Sequence, residues 1–143
     1  MHTVLLPVDE SIDRAKRVVD VVKSLPGDES EVQAVVLNVS ESVKQPWLQE
    51  FETLERSELD DAEVPESVIT AIELLTEYGV DTEMRLEEGD VTDQIITVAN
   101  DVSADQIVMC GRKKSATGKL LFGSIAQSVL LNAQRPVTIL VSD

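Results

Sequence analysis

The sequence predicts an α/β protein, a five-stranded parallel sheet with helices on both faces. Three observations carry that expectation. Short apolar runs of strand length alternate with longer segments whose apolar residues recur at helical spacing, in the order βαβαβαβαβ. The runs TVLLPVD, EVQAVVLNV and DQIVMCG are apolar almost without interruption, as strands covered on both faces are. A helix between consecutive strands calls for parallel pairing, because each crossover lays its helix on a face of the sheet.

Thr3 to Asp9 reads as the first strand. Ser11 is a good N-cap for the helix that follows, in which Ile12, Ala15, Val18, Val19, Val22 and Leu25 share a face until Pro26-Gly27 stops it. Glu31 to Val39 is the second strand. Ser40 to Asp61 is acidic and weakly periodic, a long loop with a short helix expected near Trp47 to Leu54. A second helix runs from near Val64 to Tyr78, turning Val68, Ala71, Ile72, Leu75 and Tyr78 inward, and Gly79 suits its C-terminal stop. Val80 to Glu87 alternates as a third strand with one more exposed face. After a turn at Gly89 a third helix buries Ile95, Ile96 and Ala99. Asp105 to Gly111 is the fourth strand, Ser124 to Ala133 the fourth helix, and RPVTILVS the fifth strand. The 143 residues suit one domain over 1–143, and the sequence shows no repeat or linker.

Composition narrows the function classes. The longest apolar runs are too short to cross a bilayer. The chain enters its first strand without the pattern of a signal peptide, so a cytoplasmic location is expected. One cysteine, Cys110, excludes an internal disulfide, and one histidine, His2, leaves no His/Cys cluster for zinc. With 27 acidic against 12 basic side chains the net charge is −15, which repels nucleic acid and anionic membranes; neither is an expected partner. Such acidity resembles that of halophilic proteins from a salt-loaded cytoplasm. Because the Debye length falls from roughly 10 Å at 0.1 M salt to roughly 3 Å at 1 M, repulsion among surface carboxylates should fade with salt. Thermal melting is therefore expected to rise between low and molar KCl; a melting temperature that stays flat or falls contradicts this.

The charge is unevenly placed. From Gly111 onward the chain carries +4, leaving −19 on the first 110 residues, and Arg112, Lys113, Lys114 and Lys119 lie within CGRKKSATGKLLFGS. A solvated basic loop would account for the cations; an anion site accounts for their clustering on an acidic molecule. The stretch invites comparison with the phosphate loop G-x-x-x-x-G-K-[ST], but Lys113 stands where the first Gly must turn and Leu120 where a hydroxyl must reach the metal. Its place in the chain says more. In an open parallel sheet ligands gather outside the carboxyl ends of the strands, here Asp9, Val39, Glu88-Gly89 and Gly111. The basic stretch leaves strand four at that edge and closes with Gly123-Ser124 at the start of a helix, whose unpaired N–H groups favour an anion. An ordinary helix cap is the other reading of that pair.

The segments VLLPVDES, VVLNV, EGD and GRKKSATGKLLFGSIAQSVL followed by RPVTILV together resemble the universal stress protein family, over the whole chain. The resemblance implies a Rossmann-like sheet of the adenine nucleotide alpha hydrolase-like type. It also implies ATP binding through G-x-x-G-x9-G-[ST] in many members, and empty pockets in others. Carried over, Asp9 corresponds to the acidic residue beside the adenosine and Val39 to the backbone contact with adenine. Gly111 corresponds to the first glycine, near the ribose, and Gly123-Ser124 to the closing pair on the phosphates. Lys114 stands in place of the second glycine, and eleven residues instead of twelve separate Gly111 from Gly123. In this shortened loop Gly118 or Lys119 can take over phosphate contacts. The candidate ligand set is Pro7, Val8, Asp9, Val39, Gly111, Arg112, Ser115, Gly118, Lys119, Gly123, Ser124 and Ile125, with ATP as cofactor and Asp9 a candidate holder of Mg2+ or a hydroxyl.

For turnover the candidates are thin. His2 lies away from the ligand edge, Cys110 in an apolar strand reads as a small buried hydrophobe, and SGGxDS, the ATP pyrophosphatase signature, is replaced by PVDES. The expectation is a nucleotide-binding regulatory protein, not an enzyme; the alternatives are an empty-pocket adaptor and, more remotely, a nucleotide hydrolase. VTILV (Val137 to Val141) is expected at a sheet edge, where members of the family pair it with a second copy.

Overall fold

The computed structural model describes residues 1–41, 64–112 and 123–142. The strands β1 (His2–Pro7), β2 (Val32–Ser40), β3 (Asp81–Glu88), β4 (Gln106–Arg112) and β5 (Val137–Ser142) form one sheet in the order β3-β2-β1-β4-β5. All four pairings are parallel. The helices α1 (Ile12–Lys23), α2 (Glu66–Tyr78), α3 (Val91–Asp101) and α4 (Ser124–Asn132) fall between successive strands. The order follows from the crossovers: the chain winds outward from β1 to β3, returns to place β4 on the other side of β1, and ends at β5. The reversal lies between β1 and β4.

Alternation within the buried strands separates two apolar layers. Val4, Leu6 and Val8 of the first strand segment, Ala34 and Val36 of β2 and Val108 of β4 pack with α1 and α2. Leu5, Val35, Leu37, Ile107 and Met109 point to the opposite face and pack with α3 and α4. Val4, Leu5, Leu6 and Val35 are wholly inaccessible, as central strands of a two-sided sheet must be. The edge strand β3 has no buried residue: four of its eight positions are exposed and four partly covered.

The element boundaries differ from the expected ones by one or two residues. Glu31 ends a short 3-10 turn (Glu29–Glu31) instead of opening β2, and α2 starts at Glu66 with Pro65 before it. Ser11 caps α1 by accepting from the Arg14 N–H, and Gly79 ends α2 with a left-handed φ of 101°. Two expected core residues are displaced. Tyr78 is 41% exposed: its hydroxyl donates to the Lys23 carbonyl at the end of α1 (3.1 Å), and the Lys23 ammonium lies 5.6 Å from its ring centroid. A phenol needs a polar partner, and a helix C-terminus offers carbonyls without one. In α3 the buried stripe is Ile95, Val98 and Ala99, with Ile96 half-buried on its flank. The short helix expected near Trp47 to Leu54 lies outside the described residues.

Candidate functional site

The site begins with a break in hydrogen bonding. β1 is in register with β2 over six residues, from His2 with Val32 to Pro7 with Leu37, but with β4 over only two, Val4 with Gln106 and Leu5 with Ile107. The carbonyl of Thr3 faces the β4 side, where it accepts from Asp105, whereas the Val8 N–H faces β2 and donates to Leu37 (2.8 Å). Pro7 therefore has its missing N–H on the β4 side. It cannot extend the β1–β4 ladder, and the two strands part toward their carboxyl ends. β4 meanwhile stays paired with β5 through Arg112. The crevice thus opens where the crossover direction reverses, the position at which open α/β sheets take ligands.

The turn after β1 is held at several points. The Asn38 amide donates to the Val8 carbonyl (2.9 Å), and the buried Ser67 hydroxyl, from the first turn of α2, donates to the Asp9 carbonyl (2.6 Å). Asp9 accepts from the Ser11 N–H on Oδ1 (2.9 Å). Its Oδ2 accepts from Arg14 Nε (2.8 Å) and lies 2.7 Å from Nη2. Asp9 is thus fixed in backbone and side chain.

On the other side of the crevice the backbone of Val39 is exposed to a ligand by the same parity rule. Leu37 directs its carbonyl to β1, so Val39, two residues on, directs its N–H and C=O to a side that β1 no longer occupies. Neither group has a backbone partner there among the described residues. One donor and one acceptor side by side can read the edge of a flat heterocycle. Across from them α4 begins at Gly123, with φ 85° and ψ 153° and no side-chain cap, whereas α1 and α3 are capped by Ser11 and Asp90. Among the described residues no side chain caps the first-turn N–H groups of α4, and such a helix start favours an anion.

These groups line one cavity of about 340 Å3, within the usual range for small-molecule sites. Of the residues expected to bind ligand, Pro7, Val8, Asp9, Val39, Gly111, Gly123, Ser124 and Ile125 line it together. Arg112 ends β4 in register with Ser142. Ser115, Gly118 and Lys119 lie outside the described residues, as does Lys114. Cys110, expected to be buried, is half-buried and lines the cavity. Sequence reading missed the apolar walls, Leu37, Val91, Ile95, Met109 and Ala126, and it missed Arg14. A signal for Arg14 existed: a cation in the first turn of a helix opposes the macrodipole and needs an anion close by, here Asp9 five residues earlier. An adenine ring suits the apolar walls and the Val39 edge, and a phosphate suits the uncapped α4.

A parallel sheet with helices on both faces and a cavity at its switch point defines an open, doubly wound α/β protein. Within that class the chain belongs to the universal stress protein family, whose model matches residues 1–140. A universal stress protein of Methanocaldococcus jannaschii is 31% identical over 132 residues, 92% of this chain and 75% of that protein. The structure of a universal stress protein from Archaeoglobus fulgidus is similar at a TM-score of 0.69 and 27% identity, over 97% of this chain and 98% of that one. Another from Archaeoglobus fulgidus, in complex with dAMP, shares the fold at a TM-score of 0.64 and 22% identity, over 97% of both chains. No helix among the described residues is long and apolar enough to cross a membrane.

Proposed function

We propose that this universal stress protein binds an adenine nucleotide, ATP by preference, in the β1/β4 crevice and acts as a cytoplasmic regulatory dimer with little or no turnover. The observation that carries the reading is the convergence on one cavity of the Val39 backbone edge, apolar walls and the uncapped start of α4. The dAMP complex of a protein with this fold supports the choice of an adenine compound. In this reading Val39 holds the base edge, Asp9 lies by the sugar, and Gly123 and Ser124 receive phosphate. ATP brings its own Mg2+, for which Asp9 is the one carboxylate among the described lining residues. The Asp9 oxygens already accept from Ser11 and Arg14, an arrangement that serves geometry better than activation of water.

Assembly rests on β5. It lies at the sheet edge, and the apolar side chains of VTILV are only partly covered. Such an edge, without Pro, Lys or a bulge, calls for a partner, and a second copy pairing strand to strand supplies one. Mass spectrometry of protein purified without added nucleotide, then calorimetry with ATP, AMP and adenosine at fixed salt, tests the binding. Retained adenine nucleotide or a micromolar to sub-millimolar heat is expected. No binding at millimolar ATP overturns the reading and favours the empty-pocket adaptor.

A further inference from the structure

We propose that Arg14 is a specificity-determining residue that makes the cavity prefer phosphorylated adenine compounds over adenosine. The inference rests on the nucleotide reading above and adds a residue outside the glycine loop. Among the described residues, Asp9 and Arg14 are the only charged side chains that line the cavity. They oppose one another: Nε and Nη2 of Arg14 both address the single oxygen Oδ2 of Asp9. This one-sided contact leaves Nη1 without a hydrogen bond to any described residue, on a side chain that is only 24% exposed. A guanidinium in that position has N–H donors to give and no carboxylate geometry that uses them all.

Its place in the chain argues in the same direction. The first turn of α1 disfavours a cation, and α1 already has its cap in Ser11, so Arg14 is not there to complete the helix. Holding Asp9 alone would use two of its nitrogens. Arg14 lines the same cavity as the start of α4, so the two address one anion from two directions. Without Arg14 the described lining loses its one cation, and a phosphate then enters a less favourable field on a chain of charge −15. Adenosine carries no charge and is indifferent to that field.

The test is calorimetric titration of wild type, Arg14→Ala, Arg14→Lys and Asp9→Asn with adenosine and AMP at low salt, with thermal melts as a control on folding. A charge-assisted hydrogen bond corresponds to about tenfold or more in affinity. Arg14→Ala is expected to weaken AMP at least about tenfold more than adenosine, and Arg14→Lys to keep part of the AMP preference. Asp9→Asn is expected to raise that preference by exposing the arginine charge, and molar KCl to shrink every one of these differences. Equal losses for AMP and adenosine in Arg14→Ala would show that Arg14 only positions Asp9, and would overturn the inference while leaving the nucleotide reading in place. If wild type binds neither compound at millimolar concentration, both fall together.

Discussion

Replacing Gly123 by valine is expected to abolish ATP binding and to lower stability by about 1–3 kcal/mol, through one cause. At φ 85° and ψ 153° this residue occupies a region essentially confined to glycine. A side chain here would also crowd a phosphate held at the start of α4. The backbone angles add a stronger reason: a β-branched residue must leave this conformation, and the start of α4 must swing with it. The first-turn N–H groups that address the anion move together, and their geometry is what binding requires. Gly27→Val is the matched control. Gly27 has φ 102° and nothing within 4 Å of a built Cβ, and it is not part of the cavity lining, so its replacement imposes backbone strain without touching the site. Both variants should melt cooperatively and earlier than wild type, and only Gly123→Val should lose the ATP heat. ATP affinity in Gly123→Val within about threefold of wild type would overturn the expectation. An equal loss in Gly27→Val would trace it to general destabilisation.

Ile139→Pro is expected to convert a dimer into a folded monomer, and the strand geometry makes this a sharper experiment than any proline in a strand. The Ile107 N–H of β4 donates to the Pro136 carbonyl (2.9 Å), so even-numbered positions of the last segment face β4. Ile139, in register with Met109, has the opposite parity and turns its N–H to the open edge. A proline there removes a donor available to a second copy and spares the β4–β5 ladder, the setting in which sheets tolerate proline. Leu140→Pro is the contrast: its N–H faces β4, and its loss should destabilise the protomer itself. Light scattering at micromolar concentration reads the first effect and thermal melting the second. Wild type running as a monomer would remove the dimer from the proposed function. A dimeric Ile139→Pro would place the contact elsewhere than β5.

The sequence by itself determined the class of fold, since the alternation of apolar runs with helical periodicity leaves few topologies open, and the right elements appeared in the right order. It also placed the edge of the sheet at which the cavity opens, because strand ends are visible where apolar runs stop: Asp9, Val39 and Gly111 line the cavity, whereas Glu88-Gly89, at the end of the edge strand β3, does not. The caps at Ser11 and Gly79 were legible because each depends on one residue and its immediate neighbours. What depended on distant partners was not. Tyr78 turns outward because the carbonyl it needs belongs to Lys23 of another helix, and Val98 enters the core in place of Ile96 through the rotation of α3 on the sheet. Ser67 and Asn38 hold the turn after β1 across 58 and 30 residues of chain, a distance over which no local pattern speaks. Arg14 left a faint trace as a cation at a helix start, but only the folded chain puts it in the same cavity as the uncapped α4, 110 residues later. Local backbone preference and periodicity are written along the chain; the meeting of polar groups across a crevice is decided by packing, which sets the sheet order and the parity of every strand within it.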